Sequence, residues 1–171
     1  MSSLFHSFES DWALGVHHMR LDGNGVDRTI AGFRYHRLLK RWNLEDAQAN
    51  LYAGIGGGLG YDDPTEDWRP AGLGLFRADW ETRRLLAIYQ MGLSVTDDYT
   101  HVFNSANFGI APYIAGYEDL NTWLVVELRY LSEFHEKLQV IPKVRFFKDN
   151  VFFEAGASTD GQLQLNFMVH F

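Results

Sequence analysis

The chain alternates apolar and polar residues with a period of two from about residue 10 to its last residue, and this alternation limits the fold more than any other feature. It is clearest where Leu51, Ala53, Ile55 and Leu59 alternate with polar residues and glycines. Successive side chains of a β-strand point to opposite faces, so the spacing predicts strands with one apolar and one mixed face. The whole chain contains about ten such strands and almost no helical spacing.

Turn-forming residues separate the strands at residues 22–25, 62–64, 97–98, 148–150 and 159–161. A length of 171 residues fits one domain. Consecutive strands joined by short turns predict an antiparallel meander, and closing the meander into a barrel removes its exposed edges. The predicted fold is therefore all-β, a closed antiparallel up-and-down barrel of about ten strands, with eight or twelve strands as alternatives.

The mixed face combines small residues with charges of both signs, which suits a crowded barrel lumen better than a surface exposed to water. The opposite face is almost purely apolar, and the strands run about 9 to 11 residues, the length of a tilted strand that crosses a bilayer. These features predict a transmembrane barrel with a polar interior. The charged residues predicted to line the lumen are Arg77, Asp79, Glu81, Glu127, Arg129, Lys143, Arg145 and Glu154.

Large aromatic residues on the apolar face fall at strand ends, with Trp12, Trp80 and Phe146 toward one rim and Tyr61 toward the other. Membrane barrels carry aromatic girdles at these positions, where the protein meets the lipid interface. A soluble lipophile-binding barrel is the alternative fold, and its apolar face would point inward instead.

Composition excludes several functional classes. The chain has no cysteine, which excludes disulfides and thiolate chemistry, and its net charge of -7 argues against a nucleic-acid partner.

The last strand places Leu163, Leu165, Phe167, Val169 and Phe171 at alternate positions. It resembles the terminal strand of Gram-negative outer-membrane barrel proteins, which ends in an aromatic residue and is read by the barrel-assembly machinery. In that comparison Phe167, Val169 and Phe171 are the assembly signal. Val169 stands where a second aromatic residue is common, and Asn166 stands where the motif often has glycine.

The resemblance implies a protein of a Gram-negative outer membrane, surrounded by lipid and lipopolysaccharide. It also implies that both termini lie in the periplasm, with residues 1–9 as a periplasmic segment and residues 10–171 as the barrel. The first residues show no secretory signal, so a signal peptide is expected to have been removed.

The fold allows several functions. The lumen is expected either to pass small solutes, as in a narrow porin-like channel, or to be closed by ion pairs in a structural envelope protein. An outer-membrane lipid-modifying enzyme is a further alternative, with Asp98, His101 and Ser105 as residues of the types needed for activated-serine chemistry. A solvated loop is the simpler interpretation of these three residues.

Histidine and methionine side chains also point inward on the first, second and last predicted strands. Imidazole and thioether ligands would favour copper, but the strand directions place these residues at different heights. Ordinary packing in the lumen is therefore the preferred interpretation, and no cofactor is expected. The residues concerned are His17, Met19, His36, Met168 and His170.

Overall fold

The structure is a computed structural model that describes residues 2–9, 11–23, 26–62, 67–116, 119–132, 138–159 and 161–169. Within these residues the chain forms eleven strands and no helix. The strands are β1 (Ser2–Glu9), β2 (Trp12–Gly23), β3 (Val26–Asn43), β4 (Ala47–Asp62), β5 (Asp67–Thr82), β6 (Leu85–Val95), β7 (Thr100–Ile110), β8 (Asn121–Leu131), β9 (Gln139–Lys148), β10 (Val151–Ala157) and β11 (Leu163–Val169). A membrane-spanning helix is not found among the described residues.

The strands form one sheet in chain order, and each strand is antiparallel to the next. This is the predicted meander. Two of the predicted turns contain a residue with positive φ, Asp149 at 52° and Gly161 at 84°. Aspartate and glycine both tolerate the left-handed conformation, which explains why these residues occur where the chain reverses.

Strands β2–β11 correspond to the ten strands predicted from about residue 10 onward, and β1 adds an eleventh. It lies in the segment expected to precede the barrel and pairs with β2, with Phe5 opposite Gly15. Because the strands alternate in direction, the start of β1 and the end of β11 lie at opposite ends of the sheet. The expectation that both ends of the chain share one side therefore fits β2–β11 but not the sheet with β1 included.

The sheet is strongly curled. Met19 on β2 packs against Leu131 on β8, although six strand spacings would separate them by about 29 Å in a flat sheet. Arg129 on β8 likewise donates a hydrogen bond to Gln164 on β11. The curled sheet stays open, because no ladder joins β1 to β11 within the described residues. The structure therefore has the strand order of the predicted barrel without its closure.

Burial follows the predicted division between the two faces. On the outer face Ile55 is 70% exposed and Leu165 is 76% exposed. On the inner face Glu127 is 2% exposed and Glu154 is 6% exposed. This arrangement is the reverse of an ordinary soluble sheet, in which charged side chains meet water and apolar ones are buried.

Aromatic residues lie at strand ends on the outer face, as predicted. Trp12 begins β2, and its ring lies 6.0 Å from that of Tyr35. Near the opposite end of the sheet, the rings of Tyr61 and Trp68 are 5.3 Å apart. Trp42, close to the end of β3, is a further exposed aromatic residue.

The glycines of β4 allow this strand to approach β3 closely. A Cβ on Gly58 would lie 2.1 Å from the carbonyl oxygen of Ala31, and one on Gly56 would lie 2.1 Å from that of Phe33. Only a residue without a side chain fits at these two positions. The alternating glycines therefore set the packing of this strand pair.

Candidate functional site

The charged residues of β8, β9 and β10 form a buried ion-pair cluster on the inner face, made of Glu127, Arg129, Lys143, Arg145 and Glu154. Each member occupies the inward position of its strand, because residues two apart share a face. The register then aligns the strands, with Arg145 opposite Glu154. The sequence pattern predicted all five residues for the interior, and the structure brings them into contact.

Lys143 connects the two carboxylates of the cluster. Its Nζ is ion-paired with Glu127 and lies 3.2 Å from Oε1 of Glu154. Arg129 Nε donates to Glu127 Oε1 at 2.9 Å, and Arg145 donates to Glu154 Oε2 through Nε at 2.8 Å and Nη2 at 2.6 Å. Every carboxylate is thus shared by two cations, which offsets part of the cost of removing these charges from water.

The cluster extends to β11 through an uncharged side chain. Arg129 Nη2 donates to Gln164 Oε1 at 2.9 Å. Gln164 was not among the predicted lumen residues, although its place on the mixed face of the last strand was recognisable from the alternation. Its role as a partner of β8 depends on the curl of the sheet.

A second polar group lies on β3, β4 and β5. Arg77 Nε lies 3.2 Å from Asp79 Oδ2, and Asn50 Nδ2 donates to Asp79 Oδ1 at 2.7 Å. Arg41 Nε in turn donates to Asn50 Oδ1 at 2.7 Å. The sequence predicted Arg77 and Asp79 as lumen residues but not the other two, since neither a neutral amide nor an arginine near a strand end stood out. Glu81, the third charged residue predicted for the lumen on β5, is exposed near the end of the strand.

Apolar clusters occupy the inner face beside these polar groups. One joins Leu86 and Ile88 of β6 to Trp123 and Val125 of β8. Ile30 and Ile141 are fully buried on β3 and β9. The sequence pattern assigned mainly small and polar residues to this face, whereas the structure also packs large apolar side chains there.

The three candidate residues for activated-serine chemistry are not assembled into a catalytic site. His101 and Ser105 lie four residues apart on β7, which corresponds to about 13 Å along a strand. Nδ1 of His101 lies 3.0 Å from the carbonyl oxygen of Ser132, and Asp98 Oδ2 lies 3.4 Å from Arg69 Nε. No serine–histidine–aspartate contact therefore forms among these residues.

The candidate metal ligands are also separated. His17 lies opposite Gly32 and His36 opposite Ala13, so the two rings are offset by four residues, or about 13 Å along the strands. Met168 belongs to β11, which is not paired with β2, and His170 lies outside the described residues. Among the described residues, no group of three or more histidine and acidic side chains is placed to hold a metal ion.

Two of the residues predicted as an assembly signal, Phe167 and Val169, lie on β11 at the free edge of the sheet. Phe167 is exposed on β11 and pairs in register with Phe153 of β10. Val169 ends the strand, and Phe171 lies outside the described residues.

An apolar groove of about 780 Å³ runs along the outer face over β7–β11. Its walls include Phe108, Ile110, Leu124, Val126 and Leu165. The groove adds to the apolar outer surface and brings no cluster of polar side chains with it.

Models of known protein families do not match the chain, and neither do curated protein sequences. Its function is therefore inferred from the two faces of the sheet and from the ion pairs that one of them carries.

Proposed function

We propose that the chain is a small transmembrane β-barrel of a Gram-negative outer membrane, made of β2–β11 and closed to solutes by the side chains in its interior. Its role is structural, in the envelope, rather than transport. Lipid and lipopolysaccharide surround the barrel, and the barrel-assembly machinery recognises its last strand.

The observation that carries this proposal is the reversed burial of the two faces. Exposed apolar residues such as Phe33, Ile55, Phe108, Leu124 and Leu165 extend across the outer face from β3 to β11. Soluble monomers rarely expose a continuous apolar patch of more than a few hundred Å². A bilayer provides the apolar surroundings that such a face requires, whereas water does not.

The contacts within the interior support a closed barrel rather than an open channel. Lys143, Glu127 and Glu154 are almost fully buried by one another and by their neighbours. Trp123 and Val125 pack in an apolar cluster next to them. An aqueous pore would leave such charges hydrated and would not be lined by packed apolar side chains.

Closure through β2 and β11 is supported by strand direction. These two strands run in opposite directions, so they can pair in the antiparallel manner of every other pair in the sheet. The resulting barrel has ten strands, and single-chain bacterial barrels have even strand numbers. The edge strand β1 then leaves β2 as the barrel closes.

Gel mobility with and without heating tests the membrane barrel. The chain, refolded into detergent, is expected to migrate differently before and after boiling, because closed membrane barrels often resist sodium dodecyl sulfate until heated. A monomer that stays soluble without detergent and shows no shift would contradict the proposal. That result would favour the soluble lipophile-binding barrel.

Planar-bilayer recording tests whether the interior is closed. The refolded protein is expected to insert without producing steady single-channel currents, while a general porin in the same bilayers provides the positive control. Steady unitary currents would overturn the structural role and identify a narrow solute channel.

A lipid-modifying enzyme has less support, because the side chains of His101 and Ser105 are not in contact.

A further inference from the structure

The connection between β6 and β7 is a compact turn stabilised by one side chain. Thr96 Oγ1 accepts hydrogen bonds from the backbone N–H groups of Asp98, at 3.3 Å, and Tyr99, at 3.1 Å. The backbone N–H of Thr96 donates to the carbonyl oxygen of Tyr99 at 2.9 Å. These bonds close residues 96–99 into a defined shape, and both Thr96 and Tyr99 are buried.

The ring of Tyr99 turns toward the inside of the curled sheet instead of toward solvent. It packs in a cluster with Ile30 of β3 and with Ala71 and Leu73 of β5. A tyrosine in a turn at the tip of a hairpin is ordinarily exposed, whereas this one is only 6% exposed. The turn is therefore folded over the inner face of strands that do not belong to its own hairpin.

Two electrostatic contacts hold the turn in this position. The guanidinium of Arg28 on β3 lies 4.0 Å from the centre of the Tyr99 ring, a cation–π contact. Asp98 Oδ2 lies 3.4 Å from Nε of Arg69 on β5. The turn is thus attached to the two strands on either side of β4.

Strand β4 provides the space that the ring requires. A Cβ on Gly60 would lie 2.7 Å from the hydroxyl oxygen of Tyr99 and 3.0 Å from Cγ2 of Thr96. Any side chain at this position would therefore displace the end of the Tyr99 side chain from its present position. Because Gly60 has no side chain, the buried ring of Tyr99 can lie directly against the backbone of β4.

We infer that the turn of residues 96–99 is a plug built into the chain, which closes this end of the barrel by seating Tyr99 against Gly60. The inference deepens the proposed function and rests on it, because it names the element that seals one mouth of the closed barrel. The plug opens when the ring leaves its seat, and the interior beneath it then becomes accessible to water.

Thiol labelling tests the plug, since the chain has no cysteine of its own. Ser94→Cys places a thiol on the inner face of β6, where Ser94 is buried beside the turn. The refolded protein is treated with a charged, water-soluble methanethiosulfonate reagent. Labelling is expected to be about tenfold faster when Tyr99→Gly is added, because the reagent then reaches the thiol without a local opening of the turn.

Matched variants distinguish opening of the plug from a general loosening of the protein structure. Tyr99→Phe keeps the ring and is expected to label as slowly as the parent. Val95→Cys, exposed on the outer face of the same strand, is expected to label at one rate with or without Tyr99→Gly. Gly60→Ala is expected to speed labelling of Ser94→Cys, and adding Tyr99→Phe is expected to reverse part of that effect by removing the hydroxyl from the clash.

Equal labelling rates in the parent and in Tyr99→Gly, with the heat-dependent mobility shift retained, would overturn the plug. If Tyr99→Gly loses the mobility shift, Gly60→Ala with and without Tyr99→Phe is used as the test instead. An unchanged labelling rate of Ser94→Cys after Gly60→Ala is added would then overturn the plug as well. Mobility reports on the membrane barrel and labelling on the plug, so the two proposals fail separately.

Discussion

Lys143 shows how a single residue supports the inner face. Its ammonium group lies between Glu127 and Glu154, which belong to strands on either side of β9. Buried ion pairs add little net stability compared with apolar packing, but the loss of one partner leaves an uncompensated buried charge. The cluster therefore stabilises one arrangement of β8, β9 and β10 more than it stabilises folding as a whole.

Removing one carboxylate from the cluster tests this role. Glu127→Gln leaves Lys143 and Arg129 without the carboxylate they share, and we expect it to lower the free energy of unfolding by about 3 kcal/mol. Denaturant unfolding of the detergent-refolded protein measures the change. Asp27→Asn is the control: it breaks the ion pair with the exposed Arg20, and its expected cost is below about 1 kcal/mol. Equal effects of the two substitutions would show that the cluster is not effectively buried.

At the level of the strands, β3 and β4 form a long ladder that runs from Arg28 opposite Asp62 to Asn43 opposite Gln48. Glycines on the inner side of β4 let the two backbones approach closely, while the outer side of the same strand is open. A Cβ on Gly58 would therefore meet the backbone of β3, whereas a Cβ on the neighbouring Gly57 would point to the open outer side.

The two neighbours provide a matched pair of substitutions. Gly58→Ala is expected to destabilise the protein by about 1–3 kcal/mol, because its Cβ would overlap the backbone of β3. Gly57→Ala is expected to stay within about 0.5 kcal/mol of the parent, since the nearest atom to its Cβ is 3.7 Å away. Denaturant midpoints compare the two variants. Similar midpoints would argue against the close approach.

The edge strand β1 is the one described strand that the sequence pattern did not assign to the barrel. The sequence pattern placed residues 1–9 outside the barrel, whereas the structure pairs Ser2–Glu9 with β2. Deleting residues 2–9 is expected to preserve the heat-dependent mobility shift, because β2 then meets β11 directly. Loss of the shift in the deletion variant, with expression unchanged, would make β1 an integral strand of the barrel.

At the scale of the whole molecule, the decisive property is which medium the outer face contacts. Ile55 lies near the middle of β4 on that face, and Val95 lies at the end of β6. A lipid environment penalises a charge according to its depth, whereas water penalises neither position strongly.

The two positions therefore form a test of depth. Ile55→Arg is expected to weaken folding into lipid vesicles by about 2–4 kcal/mol, and Val95→Arg by about 0–1 kcal/mol. Denaturant titrations of vesicle-inserted protein measure both values. Equal and small effects would mean that the face contacts water, which would contradict the transmembrane barrel.

The sequence alone determined ten of the eleven strands, their order and the division into an apolar outer face and a face that carries the charged residues. These properties are local, since the period of two and the turn residues depend only on neighbours along the chain. Glu127 and Glu154, which the pattern predicted to point inward, are buried in the structure, but the pattern did not identify which charges pair. The aromatic residues at strand ends, such as Trp12, were predictable for the same local reason.

Only the tertiary structure decided the contacts between distant parts of the chain. Curvature brings Gln164 to Arg129 and Met19 to Leu131, and register separates His17 from His36. The inward turn of Tyr99 depends on the gap at Gly60, which lies 39 positions earlier on another strand. Strand register and curl set these distances, and an alternating pattern restricts register only to steps of two residues and does not specify the curl.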